Sequence, residues 1–152
     1  MRNAALADSG PLLALFDRSD AHHRRVAAFL RDHPDLRLLS TLAVVTETAA
    51  LLAARVGHAA QLDFLEWVER GGLALVDLGP ASLRRVIEIV RKYQDLPFDF
   101  ADATLAEAGA RLGVDAILSI DRDFDIYRTK AKLPLENLLG HAAPRAKRRT
   151  HK

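Results

Sequence analysis

The chain has 152 residues, enough for one domain with a real core, and 49% hydrophobic against 28% charged residues is the balance of a soluble globular protein. It contains no cysteine, which excludes disulfides, thiolate zinc sites and a thiol nucleophile. The net charge of +2 is uneven: Pro144 to Lys152 carries five Lys or Arg and no acid, leaving 17 Lys/Arg against 20 Asp/Glu elsewhere.

Ala4–Ala7, ending at Asp8, has the apolar run of a buried first strand, and Gly10-Pro11 opens a short helix through Phe16. Asp20 is placed to cap a helix carrying Val26, Ala27, Phe29 and Leu30, which ends near Pro34. Leu36–Leu39 is a second strand. Thr41 caps a helix to about Val56, with Gly57 beyond its end. His58 to Glu69 repeats the helical period and stops at Gly71-Gly72. Leu73–Leu78 is a third strand, and Pro80 starts a helix through about Tyr93. Asp99 begins another helix, closed by Gly113; Ala116–Ile120 is a fourth strand, and Leu133–Leu139 holds room for a fifth.

Strands alternating with helices predict an α/β fold with parallel pairing and helices on both faces of the sheet. One domain is expected over residues 1–140, with a basic, disordered tail over 141–152. No apolar run approaches the roughly 20 residues a membrane-spanning helix needs. Asp8 also interrupts any secretory leader, so a cytoplasmic location is expected.

In such sheets ligands bind beyond the carboxyl ends of the strands, and acids gather there in the sequence. Asp8 and Asp121 each directly follow an apolar strand. Either alone is explained by the preference of Asp for strand-to-loop junctions. Glu47 has Val44, Ala43, Ala50 and Leu51 three and four positions away, which puts a carboxylate on an apolar stripe. A functional role or a place at the edge of the core would each account for it. Asp99 and Asp102 lie one turn apart at a helix start, where the dipole favours acids, and Asp102 points partly inward. Asp121, Asp123 and Asp125 alternate, but the glycine and terminal glutamate of a calcium loop are missing.

If Asp8, Glu47, Asp102 and Asp121 meet at one rim, their repulsion is large. Two unit charges about 4 Å apart cost roughly 4 kcal/mol at an effective dielectric of about 20. Protonation or a hard divalent cation relieves it, and oxygen-only ligands suit Mg²⁺, with Mn²⁺ as the alternative. Such ions activate water and clamp phosphate oxygens, the chemistry of phosphodiester hydrolysis.

Four segments, Leu6-Ala7-Asp8-Ser9-Gly10-Pro11, Val45-Thr46-Glu47, Leu96-Pro97-Phe98-Asp99-Phe100-Ala101-Asp102-Ala103 and Leu118-Ser119-Ile120-Asp121-Arg122-Asp123-Phe124, together resemble the PIN-domain family, specifically its VapC-type toxins. The likeness runs from about residue 4 to 127. It implies a three-layer α/β/α PIN-like fold around a central parallel sheet and a Mg²⁺-dependent endoribonuclease of a toxin–antitoxin pair. By the same resemblance Asp8, Glu47, Asp102 and Asp121 are the metal ligands, and Asp99 and Asp123 match more variable positions. Ser119 matches a small hydroxyl beside the metal, and Ser9, adjoining Asp8, joins these secondary candidates. The resemblance also implies a homodimer and a cognate antitoxin partly filling the active-site groove. The helices from Thr41 to Glu69, with Leu62, Leu65 and Trp67, are a candidate antitoxin surface, though ordinary core is the expectation for most of those residues.

Arg122, Arg128, Lys130 and Lys132 follow the acids closely and are candidate RNA phosphate contacts, as is the basic tail. His22 and His23 sit among arginines on an expected solvated face. The competing functions are a catalytically silent RNA-binding module of the same fold, a DNA-directed metal-dependent nuclease, and a phosphotransfer receiver. The receiver is disfavoured by a single acid after the first strand and no lysine after the late one.

Overall fold

The structure is a computed structural model that describes residues 3–140. The expected basic tail lies outside the described residues. Five strands form one parallel sheet in the order β3-β2-β1-β4-β5: β1 (Ala4–Ala7), β2 (Arg37–Thr41), β3 (Ala74–Val76), β4 (Ala116–Leu118) and β5 (Glu136–Asn137). Between them run α1 (Ser9–Phe16), α2 (His23–Asp32), α3 (Leu42–Arg55), α4 (His58–Glu69), α5 (Pro80–Lys92) and α6 (Phe100–Leu112). Among the described residues no helix is long and apolar enough to cross a membrane.

The central strand sets the register. Leu6 lies opposite Leu39 on one side and Ile117 on the other. Every residue of β1 is buried, as a parallel strand covered on both faces must be. Its small side chains let helices approach closely. Gly109 of α6 sits directly on it: a Cβ there would stand 2.7 Å from Leu6 Cδ1 and 3.0 Å from the Val114 carbonyl oxygen.

Local chemistry explains most helix ends. Thr41 closes β2 and caps α3, its Oγ1 accepting from the Val44 N–H at 3.4 Å. The same hydroxyl meets Thr104 Oγ1 at 2.8 Å, tying the start of α3 to α6. Pro80 occupies the first turn of α5. Gly113 ends α6 with φ 68°, a left-handed conformation that glycine adopts without strain.

Several expectations need correction. Asp20 does not cap α2; its carboxylate accepts from the His22 N–H at 2.8 Å, forming a turn that delivers the chain to the helix two residues later. His23 is not simply solvated, because its ring Nδ1 meets the Ala14 carbonyl oxygen at 2.7 Å and joins α2 to α1. The fourth and fifth strands are shorter than their apolar runs. In the fifth, Asn137 leaves the pattern and spends its amide on the Ser119 backbone. Leu62 and Leu65 are exposed rather than core, whereas Trp67 packs on the Phe16 and Phe64 rings at 5.4 and 6.4 Å.

Candidate active site

The carboxyl ends of β1 and β4, the first turns of α6 and the second turn of α3 meet at one rim of the sheet. Asp8 extends the ladder by one residue, its N–H donating to the Leu118 carbonyl oxygen at 3.1 Å, and its side chain is buried. The two carboxylate oxygens are differently engaged. Oδ1 accepts from the Ser9 N–H at 2.8 Å, capping α1, and Oδ2 accepts from Ser119 Oγ at 3.2 Å.

Ser119 is the junction of the rim. Buried just past β4, its hydroxyl also reaches the Asp121 carbonyl oxygen at 3.3 Å. Asn137 brackets its backbone, donating from Nδ2 to the Ser119 carbonyl at 2.9 Å and accepting from its N–H at 3.3 Å. The exposed Asp121 accepts the Asp123 N–H at 3.0 Å and so starts the short 3₁₀ turn Asp123–Asp125.

Asp99 and Asp102 form a reciprocal capping box at the start of α6. Asp99 Oδ1 accepts from the Asp102 N–H at 3.0 Å, and Asp102 Oδ2 accepts from the Asp99 N–H at 3.1 Å. The cap explains why both residues are acidic, and it also holds the buried Asp102 carboxylate in a fixed pose beside Asp8. Behind it, Phe98 packs edge-on to Phe124 at 5.1 Å and stacks on Tyr127 at 5.8 Å, which joins this segment to the 121–127 loop.

The electrostatics follow from burial and from like charge. Burial pushes the Asp8 carboxyl up to about 7, with Asp121 and then Glu47 adding repulsion against its two hydrogen bonds. Burial first, then Asp8, raises Asp102 well above the usual carboxylate range. Half-buried Glu47 is raised by burial and by Asp99, Asp121 and Asp123. Asp123 is lifted to about 6 by burial, Asp121 and Asp99. The charges acting most strongly on these four groups are therefore other carboxylates. None of the ion pairs among the described residues includes any of the six acids.

That donor set fits a hard divalent cation: all oxygen, partly desolvated, and lacking a cationic side chain to balance it. It is not a closed cage, for among the described residues no three His, Asp or Glu side chains are grouped tightly enough to grip an ion. Mutual repulsion among ionised carboxylates favours such spacing, and a bound cation would reverse its sign.

The four principal acids, with Asp99, Asp123, Ser119 and the Ser9 amide, are thus brought to one place. The expected phosphate contacts are not. Arg122 is exposed in the loop after Asp121. Arg128 turns its Nη1 back onto the Asp125 and Tyr127 carbonyl oxygens, so it braces its own loop. Lys130 lines a cleft with Glu107, Ala110 and Arg111, along the second half of α6 and away from Asp102. Sequence reasoning passed over Asn137, Phe98 and Tyr127, whose positioning roles depend on contacts that no local pattern carries.

A parallel sheet in this strand order, with acids gathered at its carboxyl rim, defines a class of α/β proteins built for divalent-metal chemistry. The chain belongs to the PIN-domain family, whose family model matches residues 5–130, and its likeness is to the VapC-type members. It is 33% identical over 117 residues to Ribonuclease VapC26 of Mycobacterium tuberculosis (strain ATCC 25618 / H37Rv), a match covering 77% of this chain and 86% of that one. The fold is similar to the crystal structure of Mycobacterium tuberculosis VapC20, described as a Sarcin-Ricin loop cleaving toxin, with TM-score 0.74 and 20% identity over 80% of this chain and 92% of that one. It is also similar to VapBC2 from Rickettsia felis bound to a DNA fragment from their promoter, with TM-score 0.58 and 9% identity over 80% of this chain and 91% of that chain. At such identities these two structures speak for the fold.

Proposed function

We propose that this protein is a Mg²⁺-dependent endoribonuclease, the toxin of a toxin–antitoxin pair. The observation that carries the reading is the convergence of Asp8, Glu47, Asp102 and Asp121 from four elements onto one rim, with like charges as their strongest electrostatic neighbours. The ribonuclease relative at 33% identity supports RNA as the substrate.

In this reading Asp8, Glu47, Asp102 and Asp121 hold the ion, with Mn²⁺ able to replace Mg²⁺. A bound ion supplies an activated water and charge stabilisation at the phosphate. The chain's own residues do the positioning. The Ser9 amide and Ser119 hydroxyl each occupy one oxygen of Asp8 and fix its orientation, while each oxygen retains a lone pair for a ligand. Asp99 holds Asp102 through the capping box, and Asp123 steadies Asp121 through its amide. Arg122 is the cation closest in sequence to the acids and is assigned to the RNA backbone.

Exposed Leu62 and Leu65 on α4 offer the antitoxin an apolar surface. A homodimer finds a second apolar face at the β3 edge of the sheet, where Leu42, Leu75, Leu78 and Phe100 line a 540 Å³ cleft and Ile87 flanks Phe100.

The deciding experiment incubates purified protein with structured RNA and with DNA, each with Mg²⁺ or EDTA. RNA cleavage that needs the ion and is lost in Asp8→Asn supports the reading. RNA left whole under every condition rejects it, and DNA cut in its place would reassign the substrate.

A further inference from the structure

Away from the acids, α5 and α6 meet the loop after the 3₁₀ turn in a cleft of about 230 Å³ lined by Arg85, Glu107, Ala110, Arg111 and Lys130. This is smaller than the roughly 300–1,000 Å³ clefts that take drug-sized ligands. Three cationic side chains face one carboxylate.

That carboxylate is already committed. Buried Glu107 accepts from Arg111 Nε at 2.9 Å, and Arg111 Nη2 donates onward to the Asp77 carbonyl oxygen at 2.8 Å. The bridge ties α6 to the end of β3 and neutralises Arg111. Arg85 reaches exposed Glu88 with Nη1 at 2.9 Å, outside the cleft lining. Its Nε is buried with no hydrogen-bond acceptor. A guanidinium N–H taken from water without an acceptor is costly, so this donor lacks a partner the fold does not supply. Lys130 enters no ion pair among the described residues. Even with Glu88 counted, the group keeps an excess of positive charge.

We propose that Arg85, Arg111 and Lys130 form a phosphate-binding subsite, separate from the acidic rim, whose oxyanion would supply the acceptor that Arg85 Nε lacks. Arginine suits this role because its planar fork matches phosphate oxygens, and lysine adds a point charge. The cleft lies about 8 to 14 Å along α6 from Asp102, at 1.5 Å rise per residue. A phosphate of the RNA backbone beyond the cleaved bond is one source, and this source rests on the nuclease reading above. Free phosphate is the other, and it does not.

The test follows the arginine Nε–Hε resonances of full-length protein in phosphate-free buffer, with the Arg85 signal assigned by its loss in Arg85→Lys. Inorganic phosphate is titrated first, then a short RNA in EDTA so that no cleavage occurs. The Arg85 signal is expected to shift saturably with one or both probes. Movement with phosphate alone makes the free anion the source, and movement with RNA at far lower concentration makes it the backbone. In the RNA case, Arg85→Gln with Lys130→Gln should flatten the log–log salt dependence of RNA affinity by about 0.7 per charge removed. Exposed Lys130→Gln alone carries this arm if the Arg85 variant fails to fold. An Arg85 signal unmoved by both probes overturns the proposal, whether or not the protein cleaves RNA.

Discussion

Ser119 Oγ stands 3.2 Å from Asp8 Oδ2 and 3.3 Å from the Asp121 carbonyl oxygen, so one hydroxyl joins the ends of two neighbouring strands. Its single proton can serve only one acceptor at a time. Its bond to Asp8 favours the ionised carboxylate, against the burial that opposes it. Ser119→Ala should therefore cost about 1 kcal/mol of stability and make Asp8 harder to ionise. The acid limb of the cleavage pH profile should move upward. A lower rate with an unmoved limb would make Ser119 merely structural.

Asp8→Asn should abolish cleavage and stabilise the fold above neutral pH. With its carboxyl raised from 3.8 to about 7, Asp8 holds its proton more tightly folded than unfolded. Stability contributed by this group is therefore greatest in acid, falls as pH rises from about 4 to 7, and is lowest beyond. The gap of about three pKa units corresponds to about 4 kcal/mol, an upper bound on the gain from removing the charge. Asp102 and Asp123 shift in the same direction and steepen the slope. Calorimetry of wild type and Asp8→Asn at pH 5 and pH 8 checks this, with the two curves converging at the lower pH.

Divalent cation should reverse that loss. At pH 8, Mg²⁺ should raise the melting temperature of the wild type, by an amount equivalent to about 2.7 kcal/mol at a hundredfold excess over its dissociation constant. Binding must displace protons from the raised carboxyls, so the effect should weaken toward pH 5. Asp102→Asn should lose most of it while keeping its helix, because an amide can still accept the Asp99 N–H. A full Mg²⁺ shift in that variant would remove Asp102 from the ligand set.

Much of this rim was legible in the sequence because local rules act there. Apolar β1 ends at Asp8, Thr41 is a good cap, and Asp99 with Asp102 makes a cap whose spacing is visible. Glu47 was ambiguous for a sound reason: it is half-buried, at the margin between core and rim. What stayed hidden depends on the third dimension. Lys130 is nine residues from Asp121 in sequence, yet the chain carries it to the second half of α6. Asn137 sits where an apolar strand residue was expected, and only its pairing with Ser119 shows why.

Ile87→Glu tests the apolar face at the sheet edge. Ile87 is exposed beside Phe100, and a charge there should leave the core untouched. Light scattering should find a dimer in wild type and a monomer in the variant, with melting temperature changed little. A variant that stays dimeric would move the interface elsewhere.

Gly109→Ala decides whether the seat of α6 on β1 is as tight as the geometry requires. In a helix interior alanine is favoured over glycine by about 1 kcal/mol. Here the new Cβ would meet Leu6 Cδ1 at 2.7 Å and the Val114 carbonyl oxygen at 3.0 Å. Leu6 is fully enclosed and cannot swing aside, and the carbonyl is backbone. Overpacking of this kind costs about 1–3 kcal/mol, so it should outweigh the propensity gain. The expected result is a melting temperature lower by a few degrees and a reduced turnover rate, since α6 carries Asp102 toward Asp8. Leu6→Val removes the nearer obstruction, and the double variant should recover part of both losses. A Gly109→Ala protein more stable than wild type would mean that α6 sits farther from the central strand than these distances state.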